Sequence, residues 1–395
     1  MLAIGNYESD TSGKGKGRLL ALDGLRGYAA LSVVIYHAIL VFVEKRASEL
    51  LATPIHKVAA GDRLAKALVV VFNGELAVML FFAMSGAVLL RALESDTAKI
   101  GLGRALAIFP LKRVLRIYPA LVVCLLALGG TYALAHFLVP TVYERPSWSG
   151  IAVNAILYDT SVHGATWTLK AEMLAIPFII VAFLARRKFG IAGVAAFLFY
   201  AVLLMERPWL GFGVWQVPHW LVYFAAGFLA HDLAKSTVVA ELMKGSRWIV
   251  VCGLLLGLRA IISPASESGN LLRVALITII VASMFNDHQN ALKRHLSGVI
   301  PVFFGRISYS LYLWNVVVMN VVIRWFYHYE LLRENYAVSG FVLGLAIIVI
   351  SIPISAASER WIERPCSSLL KIKKPRDASI AEVKPLDRSP LLQTV

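Results

Sequence analysis

Asp23, Arg26 and His37 stand inside a stretch, residues 20–43, that is otherwise apolar enough to span a membrane. Arg26 and His37 are eleven residues apart. At about 100° per residue that spacing is roughly three turns, so both share one helix face, about 16 Å apart along the axis. Ionisable groups inside a bilayer are costly, and they usually face a protein interior or a water-filled path and carry function. A histidine so placed can serve as general base, because its pKa is tunable around neutrality. Packing against a neighbouring helix is the competing reading, and an arginine on the same face favours chemistry.

Other polar residues stand at the ends of apolar runs. Glu75 lies within the second run, and Glu172 lies about one and a half turns inside Trp167. By depth both acids fall with His37 in the outer half, where a carboxylate orients or charge-balances an imidazole. Lys112, Arg113 and Arg116 stand at the inner mouth of the third run, and Arg113 and Arg116 share a face. Paired guanidinium forks suit phosphate, although inside-facing cations also anchor topology. Ser85 and Gly86 permit close approach of a ligand or of another helix. Ser308 to Asn315, with Tyr309 between them, reads equally as a cavity lining or as hydrogen-bonding glue between helices.

The elements that must position these groups follow from composition. The chain has 395 residues, 58% hydrophobic and 16% charged, with mean hydropathy +0.71. Soluble domains carry nearer a quarter charged residues. An all-α, polytopic bundle is expected, with apolar runs near 20–43, 67–90, 117–139, 167–185, 189–205, 216–234, 248–264, 271–286, 299–323 and 336–359. These ten spans are each taken as a crossing of about 20 residues. Inner segments then hold roughly twice the Lys and Arg of outer ones, which sets both termini inside. Residues 1–19 are a cytoplasmic N-terminal segment, 20–366 the transmembrane domain, and 367–395 a disordered cytoplasmic tail. The first apolar run lacks a small-residue cleavage site and reads as a retained helix. The net charge of +15 is spread over loops, which argues against nucleic acid. Three cysteines without metal or redox spacing predict neither disulfide nor metal site.

Taken in order, the motifs resemble the membrane acyltransferase-3 family. Asp23-Gly-Leu-Arg26-Gly with His37 resembles its first-helix signature, and Phe81 to Gly86 its Phe-Phe-x-x-Ser-Gly segment. Lys112 to Pro119 resembles an Arg-Arg-x-x-Arg-Ile-x-Pro run, with Lys112 in the first arginine's place. Trp167-Thr-Leu-x-x-Glu172, Ser308 to Trp314 and Glu363-Arg-Pro365 match later motifs. Two departures stand out. Asn315 follows Tyr-Leu-Trp where the family has histidine, and Met173 replaces a second glutamate after Glu172, a part that Glu75 could take.

The resemblance implies an inner-membrane, multi-pass O-acyltransferase. It would move an acyl group, usually acetyl from acetyl-CoA, to a hydroxyl of a glycan or glycolipid such as lipopolysaccharide or another polysaccharide. On that footing His37, Arg26, Glu172 and Glu75 are expected to be catalytic. Arg113, Arg116, Lys112, Ser85 and Gly86 are expected to bind the donor, and Trp167, Tyr309 and Asn315 the acceptor. His37 would be a general base or a transient acyl carrier. A transporter or flippase using Arg26, His37 and Glu75 as a relay is the reading from a different class. Its expected mark, a pair of inverted repeats, is not visible. A purely structural scaffold would leave those three residues without a use.

Overall fold

The computed structural model describes residues 19–43, 46–139, 147–214, 217–261, 267–326 and 334–370. Residues 1–18 and 371–395, which make up nearly all of the expected cytoplasmic ends, lie outside them. The described residues are helical and contain no strand. The first half comprises α1 (Leu20–Val43), α2 (Ala47–Ala52), α3 (Arg63–Val71), α4 (Gly74–Ile100), α5 (Leu102–Leu138) and α6 (Trp148–Ala155). Next come α7 (Thr166–Leu174), α8 (Ile176–Phe189), α9 (Ile191–Glu206), α10 (Leu221–Leu233), α11 (Thr237–Leu242) and α12 (Arg247–Ile261). Last are α13 (Glu267–Phe285), α14 (Ala291–Leu296), α15 (Val299–Phe326), α16 (Tyr336–Ser358), a π-helical turn at Glu359–Glu363 and α17 (Arg364–Ser368).

Each apolar run meets a helix, but the helices are not ten equal crossings. Five are long and apolar enough to span, or six if the bent pair α7–α8 is one span. Four further apolar stretches, Ile191–Glu206, Leu221–Leu233, Arg247–Leu258 and Gly269–Phe285, have 10–17 residues. Local chemistry cuts them short. Gly190 takes φ +59° between α8 and α9, a conformation that glycine adopts without steric cost. The bend of 42° between α7 and α8 falls just before Pro177, which cannot donate to the Met173 carbonyl. At the other extreme α5 runs 37 residues with Pro110 and Pro119 inside it. At 1.5 Å per residue it is about 55 Å long, more than a bilayer's hydrocarbon core needs.

α1 is packed on several sides, against α4, α15 and α16. Its crossing with α15 is a backbone contact: a Cβ on Gly27 would sit 2.7 Å from Pro301 O, and one on Gly305 1.9 Å from Asp23 O. One apolar cluster joins α4 with α8 to α13, and a second joins α1, α3, α15 and α16. A small group, Ala29, Val33, Ala77 and Tyr312, links α1, α4 and α15 where these meet. At the far ends of α4, α8 and α10 a charged clamp closes the bundle. The Arg186 guanidinium donates to both Asp232 oxygens at 3.0 Å and to Glu94 at 2.5 Å.

Candidate active site

A cavity of about 160 Å³ opens where α1, α4, α5, α7 and α15 converge. Its polar wall is Arg26, Ser85, Arg113, Arg116, Glu172 and Ser308, and the rest includes Phe81, Phe82, Ile117, Leu169, Tyr309 and Tyr312. Glu172 is the hub. It accepts a hydrogen bond from Ser85 Oγ at 3.1 Å and an ion-paired one from Arg113 Nη2. The side chains of Arg113 and Glu172 keep only 12% and 17% of their accessibility. Three guanidinium groups therefore face one carboxylate in the lining, and Arg113 Nε has no partner among the described residues. Asp23 and Glu363 act electrostatically on the same arginines from outside the lining, so positive charge is concentrated at the cavity wall itself, where a guanidinium fork can meet an anion.

Helix ends bring these groups together. Asn73 caps α4 by accepting from Leu76 N at 2.9 Å, and Ser85 lies about three turns further along the same helix. α7 starts from a pinned loop. His163 is wholly buried, its N–H donates to Asn154 Oδ1 at 2.9 Å, and its Nε2 lies 3.1 Å from Leu313 O. Asn154 Nδ2 in turn donates to Thr166 Oγ1 at 2.9 Å. This network starts α7 against α15 and sets Glu172 one and a half turns later. Tyr309 donates to Ile117 O at 2.7 Å and ties α15 to α5 across the cavity.

The lining contains Arg26, Arg113, Arg116, Glu172, Ser85 and Tyr309, and leaves out the other predicted residues. Glu172 was expected in the opposite half of the membrane from Arg113, yet the two are in contact. The bend at Ala175 is the reason: α7 is a separate nine-residue helix rather than the top of a straight span. Lys112 turns away to pair with Asp96 at 2.6 Å, bracing α5 on α4. Gly86 faces α10, where an added Cβ would lie 2.3 Å from Phe224 O. It serves helix packing, not the cavity. Trp167 joins an aromatic cluster, its ring centroid 4.9 Å from that of Trp220 and 6.5 Å from that of Phe82.

Asn315 is buried and its Nδ2 donates to the carbonyls of Leu311 and Tyr312 of its own helix, both at 2.7 Å. Glu75 lines a separate small cleft with Asn73, Met79, Leu255 and Arg273. It is level with Tyr36, whose ring packs on Gly74, but it belongs to a different face from the cavity.

His37 is exposed between buried Tyr36 and Ala38, with its ring edge-on to Tyr36 at 5.4 Å. It lies outside the cavity lining. Between its level and that of Arg26, α1 presents Ala29 and Val33 to Ala77 and Tyr312, with Phe81 against them. The Phe81 and Tyr312 rings stand 6.4 Å apart. Tyr312 Oη donates to Ala165 O at 2.8 Å and lies 2.8 Å from Thr168 Oγ1. This apolar collar, with a fixed phenol in it, separates the arginine cavity from the histidine.

Tyr312 and Thr168 were not singled out in the sequence. Tyr312 follows Tyr309 by three residues, and that shared-face spacing could have found it. Glu363 was quoted only as part of a terminal motif. Glu363 is the last residue of the π-helical turn, and Ser310 Oγ donates to its carboxylate. The two lie on different helices, 53 residues apart, so no pattern within one run pairs them.

The fold and cavity define a multi-pass helical membrane protein with a charged internal site. The chain belongs to the acyltransferase-3 family: the family model, described as an acyltransferase domain, matches residues 19–359. Three proteins of Staphylococcus aureus, from strains COL, MSSA476 and MRSA252, each carry the description "Putative O-acetyltransferase". Each is 22% identical to this chain over 385 residues, covering 87% of it and 56% of the relative. The chain thus spans little more than half the length of these relatives. No solved structure matches it.

Proposed function

We propose that this chain transfers an acyl group, acetyl foremost, from acyl-CoA to a hydroxyl of a surface or exported glycan or glycolipid, as a multi-pass protein of the inner membrane. The observation that carries the reading is the cavity where Arg26, Arg113 and Arg116 surround Glu172. Coenzyme A brings several phosphate charges and a long thin thioester arm. Guanidinium forks match the phosphates, and the apolar remainder of the cavity matches the arm. Glu172, which accepts from Ser85, pairs with Arg113 and holds it for that contact.

His37 acts beyond the Phe81–Tyr312 collar. Its ring nitrogen takes the proton of the acceptor hydroxyl as that oxygen attacks the thioester carbonyl. The carbon–sulfur bond breaks and the thiolate of CoA leaves, to be protonated from solvent. A ten-helix topology with both termini inside would set the arginine cavity toward the cytosol, where acyl-CoA is made. Mass spectrometry of surface glycans from cells with and without the chain tests the reading. The expected result is a mass gain of one acyl group per modified sugar. Glycans identical in both strains would overturn it.

A further inference from the structure

The collar between Arg26 and His37 is built of unequal parts. Ala29 and Val33 on α1 and Ala77 on α4 are small and buried. Its bulk comes from two rings, Phe81 on α4 and Tyr312 on α15, and both also line the arginine cavity. The rings meet edge-on at 62°, with centroids 6.4 Å apart, a separation at which aromatic side chains are in contact. The way from the cavity to His37 is therefore closed at this pair.

The two rings are not held alike. Tyr312 is buried, and its hydroxyl is engaged twice, donating to Ala165 O at 2.8 Å and lying 2.8 Å from Thr168 Oγ1. Turning that ring breaks buried hydrogen bonds, which is costly. Phe81 is half-buried, has no polar anchor, and borders the cavity, into which its ring has room to turn. One ring is a fixed post and the other a movable leaf.

We propose that Phe81 is the residue that selects the transferred acyl group, opening against Tyr312 to admit uncharged, unbranched chains and to reject branched or carboxylated ones. The inference rests on the acyl-transfer reading given above. The acyl end leads the thioester through the collar. A straight chain adds length there but no width, so length is not what the collar measures. A branch at the second carbon sets a methyl beside the chain, against Tyr312 on one side and the backed side chains of Val33 and Ala77 on the other. Close-packed walls do not absorb an extra methyl without strain. Charge is refused for a different reason. Ala29, Val33, Ala77, Phe81, Tyr312 and Ala165 carry none, and the Tyr312 hydroxyl is already engaged. A carboxylate leading the chain would have to leave Arg26, Arg113 and Arg116 and enter an apolar ring without a partner.

Two isomeric donors separate width from composition. Permeabilised cells carrying the full-length chain receive equimolar acetyl-CoA, butyryl-CoA, isobutyryl-CoA and succinyl-CoA, with deuterium on the butyryl chain so that mass distinguishes the isomers. The acyl groups on surface glycans are then measured by mass spectrometry. Ratios within one sample do not depend on expression level. The wild-type chain should transfer butyryl over isobutyryl by about 10-fold or more, the cost of one misplaced methyl in a fitted apolar site, and should leave succinyl untransferred. Phe81→Ala should bring the butyryl-to-isobutyryl ratio toward unity, while succinyl stays excluded because a wider ring supplies no charge. Phe81→Leu, a smaller trimming, should shift the ratio the same way and decides the case if Phe81→Ala fails to fold. Absence of acetyl transfer by the wild-type chain would remove the acyl-transfer reading itself. Acetyl transfer with no preference between the isomers, a preference unmoved by trimming Phe81, or succinyl transferred as readily as butyryl overturns the gate alone.

Discussion

Glu172 is the residue on which the cavity turns. Paired with Arg113 and bonded to Ser85, it keeps a guanidinium poised where water is scarce. Removing one member of a buried pair leaves the other uncompensated, at a cost of about 3–5 kcal/mol. Glu172→Ala should therefore lower thermal stability in detergent more than Arg113→Met combined with Glu172→Leu, which removes both charges. An equal loss in the two variants would show that the pair is screened. For acyl-CoA the same substitutions rank differently. Arg113→Ala and Arg116→Ala should each weaken donor binding by about 1.5–3 kcal/mol, the worth of a charge-assisted contact, as read by titration with a non-hydrolysable acyl-CoA. Lys112→Ala should leave donor affinity unchanged, because Lys112 is engaged with Asp96. Loss of binding there would return Lys112 to the donor set. His37→Ala should reduce transfer by about 10²–10⁴-fold, the usual contribution of a general base, with donor affinity retained. Wild-type turnover in a folded His37→Ala chain would remove it from the chemistry.

Among the elements, α1 and α15 cross backbone to backbone, and this sets where Arg26 lies relative to Ser308 and Tyr309. Gly305→Val would force a Cβ to within 1.9 Å of Asp23 O, and neither backbone can yield. That chain should fail to give a monodisperse peak on size exclusion. Gly130→Ala in α5 is the contrast: nothing lies within 4 Å of its would-be Cβ, and Ala in place of a helical Gly stabilises by about 0.5–1 kcal/mol. A raised melting temperature would confirm that α5 is open to its surroundings there. The same elements show what was legible beforehand. Apolar runs of sixteen or more residues announce helices, and Arg26, Arg113, Arg116 and Ser85 were legible because charge or a hydroxyl in or beside such runs has few uses. The 42° bend before Pro177 was not weighed, so Glu172 was assigned to the wrong depth. Gly86 and Gly227 pack helix on helix, a use that a small residue's type alone does not separate from ligand approach. The contact between Glu363 and Ser310 joins two helices 53 residues apart in sequence, which the periodicity of neither run reveals.

At the scale of the whole molecule, two polar regions are held apart by a collar. The arginine cavity lies at the level of Arg26, and His37 lies about 16 Å further along α1, beyond Val33, Phe81 and Tyr312. If donor and acceptor enter from opposite sides of the membrane, the thioester arm must pass that collar, and only the reaction centre joins the two paths. Single cysteines test this directly, in a chain whose native cysteines are replaced. Ser85→Cys lies in the cavity lining and should react with a charged, membrane-impermeant reagent from the cytosolic side alone. Acetyl-CoA should slow that reaction. His37→Cys is at an exposed position and should react from the opposite side, and acetyl-CoA, whose thioester must come to this residue for transfer, should slow that reaction too. Widening the collar by Phe81→Ala should strengthen the protection at position 37, since the obstacle to the arm has been trimmed. Labelling of both positions from one side only would mean that donor and acceptor share an entrance. The collar would then be a packing feature of α1, α4 and α15 rather than the divide between two compartments.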